Sequence, residues 1–191
     1  MEEPWAFGEA EVIWRLLKYA AGWWTVNLSA ASSLSLGSVL ERETKGRAHY
    51  YGDIYHTLTR PALRFRPPEV RRLLTVDEPL MTKYMGTPTW TGSEGFEPMA
   101  AGAVVDDRLV GLAHVSAVTE HHVDIGVSTL EPWRGRGFAT AAASIVARVV
   151  SETGRTPVWS AEEGNAVSLR ARAKVGFEEV SRRSYVSLAD N

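Results

Sequence analysis

The spacing of apolar residues changes several times along this chain, and each change predicts an element. Residues 9–21 place Val12, Ile13, Leu16, Leu17 and Ala20 at helical spacing between charges, an amphipathic helix that needs a partner surface. The segment WWTVNLS and the Ser-rich run Ser29–Ser38 then read as a strand and a loop. His49–Leu58 is aromatic and strand-like, interrupted by Gly52-Asp53. Arg66-Pro67-Pro68 predicts a boundary, because each proline disfavours helix before it and removes a backbone donor. Beyond it, Arg72–Val76 reads as a short strand. Asp77-Glu78-Pro79 reads as a helix start, with Asp as cap and Pro in the first turn. The polar run Gly86–Gly95 reads as a mobile loop.

The pattern is clearest further on. Ala100–Val105 and Leu109–Val118 are β-rich runs around Asp106-Asp107-Arg108, a predicted hairpin. His122–Ser128 predicts a third strand with Val123, Ile125 and Val127 on one face. Ala139–Glu152, rich in Ala and Val and followed by Gly154, predicts a buried helix with a glycine stop. Pro157–Ser160 is a short strand, Asn165–Val175 a helix with Gly176 past its end, and Phe177–Leu188 a final strand. The order from Arg72 is β-α-β-β-β-α-β-α-β, a mixed α/β layer architecture. The division expected is a domain over 70–191 and an extension or small subdomain over 1–69.

Composition narrows the chemistry. The 191 residues carry 23 acids and 21 bases, and a net charge of −2 argues against a dedicated nucleic-acid binder. Zero cysteine excludes disulfides, thiolate zinc sites and cysteine nucleophiles. His114, His121 and His122 offer no helical metal pair, so no metal site is expected. No stretch reaches the roughly 18 apolar residues of a membrane span. The start, Met1-Glu2-Glu3-Pro4, is acidic where a secretory signal would be basic, so a cytoplasmic location is expected. Between Glu94 and Glu131, Glu94, Glu97, Asp106, Asp107, Glu120, Asp124 and Glu131 face one base, Arg108. They read either as solvated loops and hairpin ends or as a surface attracting a cationic, amine-bearing molecule.

One loop carries a specific signal. Trp133-Arg134-Gly135-Arg136-Gly137-Phe138-Ala139-Thr140 lies between a predicted strand and a predicted helix. Glycines and alanines leave a helix N-terminus without bulk, so its free N–H groups can approach an anion, and Arg134 and Arg136 add charge. That is a phosphate or pyrophosphate cradle. A nucleotide P-loop would end in Gly-Lys-Ser/Thr, and there is no such lysine. The dinucleotide fingerprint wants a third glycine where Thr140 stands.

Arg134-x-x-Gly137-x-Ala139 in this setting resembles the Arg/Gln-x-x-Gly-x-Gly/Ala signature of the Gcn5-related N-acetyltransferase (GNAT) superfamily. Val158-Trp159-Ser160, then Asn165, Ser168 and Gly176-Phe177, resembles its second motif, and LLTVDEPLMTKY its first strand and helix. The resemblance covers roughly residues 70–190 and implies a mixed, mostly antiparallel central sheet with helices on both faces. It implies acetyl-CoA as co-substrate, with Arg134, Gly135, Arg136, Gly137, Phe138, Ala139 and Thr140 around the diphosphate. The strand at Val127–Thr129 would hold the pantetheine arm, with the N–H near Val127 polarising the thioester carbonyl. Asn165 and Ser168 would face that arm, and Val158–Ser160 would splay away to admit the acetyl group.

The implied reaction is direct attack by an amine, which needs a base and an acid. The family's usual acid is a tyrosine seven residues after the motif asparagine; that position is Arg172. Ser168 is the substitute candidate. Glu120, His121, His122 and Asp124, at the entrance to the strand beginning at His122, are candidates for the base. Of these, Glu120 and Asp124 share strand parity. The implied partners are acetyl-CoA and an amine-bearing acceptor, with neither nucleic acid nor membrane. A homodimer through the extension is a further possibility. The same fold could also serve as a non-catalytic acyl-CoA sensor, and the missing tyrosine favours that alternative.

Overall fold

The computed structural model describes residues 36–42, 45, 47–58, 66–86 and 99–188. The helix expected over 9–21, the segment WWTVNLS, residues 87–95 of the polar loop, and Glu94 and Glu97 lie outside the described residues. The seven strands among these are β1 (Ala48–Thr57), β2 (Val70–Leu73), β3 (Ala100–Val105), β4 (Arg108–Val118), β5 (His122–Thr129), β6 (Thr156–Glu162) and β7 (Glu178–Leu188). The helices are α1 (Glu78–Met85), α2 (Phe138–Glu152) and α3 (Ala166–Val175), and residues 36–42 are also helical. The chain forms two compact units. The larger comprises His56–Ser160 and Asn165–Val180, and the smaller takes the described residues up to Tyr55, Ala161–Gly164 and the chain from Ser181.

In the larger unit β2, β3, β4 and β5 pair antiparallel in that order, and β6 joins β5 in parallel. The β3–β4 turn places Asp106 at φ 50° and Asp107 at φ 56°. Both lie in the left-handed region that a two-residue type I′ turn requires, and aspartate tolerates it better than most side chains. One face of the sheet packs on α1 through Leu73, Met81, Ala100, Leu109 and Leu112. The other is covered by α2, whose Ala142, Ala143, Val146, Ala147 and Val150 are fully buried. Small side chains let that helix sit close: a Cβ on Gly111 of β4 would stand 3.2 Å from the Phe138 Cβ. The expected mixed, mostly antiparallel sheet with helices on both faces is present.

Three local expectations change. The strand expected over Arg72–Val76 ends at Leu73, and Thr75–Asp77 is a 3-10 turn. The Asp77 carboxylate makes that turn, accepting from the Leu74 N–H at 2.9 Å and from both Arg71 Nη atoms at 2.7 and 2.8 Å. Asp77 does precede α1, but its side chain makes no cap bond to that helix. The loop expected over Ser29–Ser38 has its last residues in the helical segment 36–42, where Leu36, Val39 and Leu40 are buried at helical spacing.

The smaller unit has its own polar ties. The Glu163 N–H donates to Gly52 O at 2.9 Å, Arg182 pairs with Glu163 at 2.9 Å, and the Arg183 guanidinium lies 5.1 Å over the Tyr55 ring.

Candidate active site

The site is organised by a ladder that stops. β5 and β6 share only three partner pairs, His122 with Thr156, Val123 with Pro157 and Asp124 with Val158. Beyond Asp124, Ile125–Thr129 continue against β4 while pairing with β6 has ended. At the last pair Asp124 bridges three strands: its carboxylate accepts from Ser116 Oγ of β4 at 3.0 Å, and from the Ser160 N–H and Oγ of β6 at 3.2 and 3.0 Å. The β4–β5 register shifts between Val115 and Ala117, at Ser116. This bulge puts the serine hydroxyl within reach of the carboxylate.

Next to the open part of β5 lies the start of α2. Gly135 and Gly137 adopt φ 79° and 81°, where a side chain would be strained, and a Cβ on Gly135 would meet nothing within 4 Å. Gly137 is the N-cap of α2 and no side chain caps the helix. The Thr140 hydroxyl instead donates inward to Gly137 O at 2.8 Å. First-turn N–H groups thus stay available, beside a glycine turn open to solvent. Arg134 Nε donates to Thr129 O at 3.3 Å, tying the loop to the end of β5, and the Arg136 guanidinium lies 4.6 Å over the Trp133 ring. Trp133 also packs against buried Phe138. These residues fit a diphosphate: unblocked amides, a positive helix end and two exposed guanidinium groups.

On the far side, α3 begins differently. Asn165 Oδ1 accepts from the Ser168 N–H at 3.0 Å and caps the helix. Ser168 Oγ accepts from Trp159 Nε1 at 2.9 Å. The Trp159 indole is buried edge-on against Phe177. Arg172, where the family's tyrosine would stand, donates from Nη1 to Phe177 O at 3.0 Å.

The sheet face toward α1 adds residues that motif reading passed over. Tyr84 of α1 meets Ser128 of β5, hydroxyl to hydroxyl at 3.0 Å. His114 of β4 pairs across from Gly126. Burial pushes the His114 imidazole below the ordinary histidine value. Strand parity was the available signal: Asp124, Gly126 and Ser128 alternate along β5 and share the face opposite Val123, Ile125 and Val127. Glu120 stands in the exposed β4–β5 turn, 3.8 Å from His121 Nε2. The acidic stretch divides between hairpin ends, with Asp106-Asp107 in one turn and Glu120 in another. Among the described residues no group of His, Asp and Glu is arranged to hold a metal ion.

The GNAT acetyltransferase family pattern matches residues 75–185, more than half of the chain. The chain belongs to the GNAT acetyltransferase family. Solved structures share its fold. A GCN5-related N-acetyltransferase-like protein from Streptococcus suis is 17% identical, with TM-score 0.62, over 83% of this chain and 69% of its own. A GNAT-family protein from Novosphingobium aromaticivorans is 20% identical, with TM-score 0.59, over 74% and 66%. A GNAT-family acetyltransferase from Colwellia psychrerythraea is 14% identical, with TM-score 0.58, over 95% and 70%. This GNAT chain therefore spans about two thirds of the length of the structures it matches. No curated protein matches it in sequence.

Proposed function

We propose that this GNAT protein moves an acetyl group from acetyl-CoA to a primary amine of a small molecule or protein, by direct attack in a ternary complex. The observation that carries the reading is the end of the β5–β6 ladder at Asp124, beside an α2 N-terminus left without a side-chain cap. In this reading residues 70–191 are the catalytic domain and 1–69 an extension. The loop Arg134–Thr140 holds the diphosphate, and Val127 and Thr129 line the pantetheine arm. An N–H near Val127 polarises the thioester carbonyl. With no cysteine in the chain, no cysteinyl acyl-enzyme intermediate can form, which favours direct transfer.

Ser168 suits the acid role, because its oxygen accepts from Trp159 and its own O–H remains to donate toward the departing thiolate. Of the two carboxylates that the sequence offered as base, Glu120 stands exposed beside His121, and the three bonds accepted by Asp124 suit it to holding β5 and β6 at their parting point. An aliphatic acceptor amine is cationic at neutral pH, so deprotonation precedes attack.

The test is calorimetric titration with acetyl-CoA, followed by thiol release with a panel of primary amines. Saturable binding and amine-dependent release are expected. One observation favours a second reading, an acyl-CoA sensor: Arg172 replaces the usual tyrosine and is committed to Phe177 O. Binding without release across the panel would establish the sensor instead.

A further inference from the structure

His114 is a partly buried titratable side chain on the α1 face of β4 that the reading above leaves unused. It sits on β4 directly across from Gly126. A Cβ on Gly126 would stand 3.0 Å from the ring's Cε1 and 3.4 Å from its Nε2. The imidazole therefore leans over β5, on the side away from α2, two residues past the last β5–β6 pair at Asp124. The absent side chain of Gly126 is what gives it that space. Nδ1 is buried with no hydrogen-bond partner among the described residues.

Burial favours the uncharged form of the ring, and the groups around it do not oppose this. β3 is AAGAVV and has no titratable residue; Ala100 lies opposite His114. On β5 the nearest acid by register is Asp124, whose carboxylate accepts from Ser116 and Ser160, while His122 is exposed at the strand's start. From α1, Tyr84 turns its hydroxyl to Ser128, while Glu78 and Lys83 are exposed. A neutral imidazole keeps a lone pair ready, which a general base requires.

Resting on the acetyl-transfer reading, we propose that His114 is the general base that deprotonates the acceptor ammonium. The ammonium gives one proton to an imidazole nitrogen, and the freed lone pair forms the new C–N bond. The C–S bond breaks and its electron pair leaves with sulfur. Ser168 gives its hydroxyl proton to that thiolate and recovers one from the acylated nitrogen, leaving free thiol and amide, and the imidazolium returns its proton to water. Atoms and charge balance without any further reactant.

The experiment pairs His114→Gln with Gly126→Ala, which crowds the ring without removing it. In the wild type, the His114 Cε1–H resonance should titrate below the ordinary histidine range and shift when coenzyme A is added. Both variants should bind coenzyme A within about twofold of wild type. His114→Gln should lower kcat for a primary amine by about 100-fold, within the usual range for a general base. It should also abolish the acid limb of the kcat/KM profile for that amine, which the Gly126→Ala variant should retain at a displaced midpoint. Unchanged turnover and an unchanged acid limb in His114→Gln would overturn the assignment. A wild type that binds coenzyme A and never releases thiol would overturn the acetyl-transfer reading itself, and His114 as base with it.

Discussion

The two helices that begin beside the β5–β6 split start in opposite ways. α3 closes its own N-terminus, with Asn165 accepting from the Ser168 N–H. α2 leaves its N-terminus open, starting on Gly137 at φ 81° with no side-chain cap. Both starts face the same requirement, since the first N–H groups of any helix lack intrahelical partners. The difference teaches where a ligand is expected: a helix that supplies its own acceptor is complete, whereas one that begins on two glycines and two arginines is complete only with an anion.

Three substitutions break or sharpen that contrast. Gly137→Glu should have the largest effect. It places a carboxylate and a strained left-handed residue at the open end, so acetyl-CoA affinity should fall on the order of 100-fold, equivalent to about 2.7 kcal/mol. Calorimetry checks it, with Gly137→Ala as the control that keeps the strain and omits the charge. Unchanged affinity in Gly137→Glu would remove the diphosphate assignment. Asn165→Ala should come next, costing about 1 kcal/mol of stability in denaturant unfolding, with Asn165→Asp restoring most of it. An affinity loss for acetyl-CoA well beyond that stability loss would show Asn165 touching the ligand as well as capping.

The smallest effect concerns the third helix start, where Asp77 precedes α1 but serves the turn before it. Hydrogen bonds from Arg71 hold its carboxyl below the usual carboxylate value, opposed by burial. A lowered native value means that the unfolded chain binds the proton more readily. The stabilisation is therefore present above about pH 3.9 and is lost as pH falls through the native value. Arg71 is half-exposed, so the contribution is about 0.5 kcal/mol. Asp77→Asn should flatten the acid side of the stability curve by that amount, and an unaltered acid slope would assign it elsewhere.

Elements with a strong local signature were legible in the sequence. The Asp106-Asp107 turn, the glycines that follow α2 and α3, and the alanine-rich α2 were all marked by residue type. The glycine-arginine loop was legible because its residues are contiguous. What sequence could not show is what the sheet assembles. Ser116, Asp124 and Ser160 come from three strands, and only the bulge at Ser116 and the three-pair ladder bring them together. The end of β2 was misplaced because Arg71 and Asp77, six residues apart, close a turn against the strand propensity of Leu73-Leu74. His114 was considered only as a metal ligand, since its relation to Gly126 depends on register.

The three-pair β5–β6 ladder also has a bearing on how the chain folds. The β3–β4 and β4–β5 hairpins join segments adjacent in sequence, but the Asp124–Ser160 bond closes 36 residues of chain and waits for α2 to cross between its strands. Loop closure of that length is entropically costly and slow compared with hairpin formation. Pulse-labelling hydrogen exchange should find β3 and β4 protected before β6. The loop proposed to hold the diphosphate then precedes the opening beside Asp124, so the proposed acyl site would be late among the parts of the larger unit to acquire its shape.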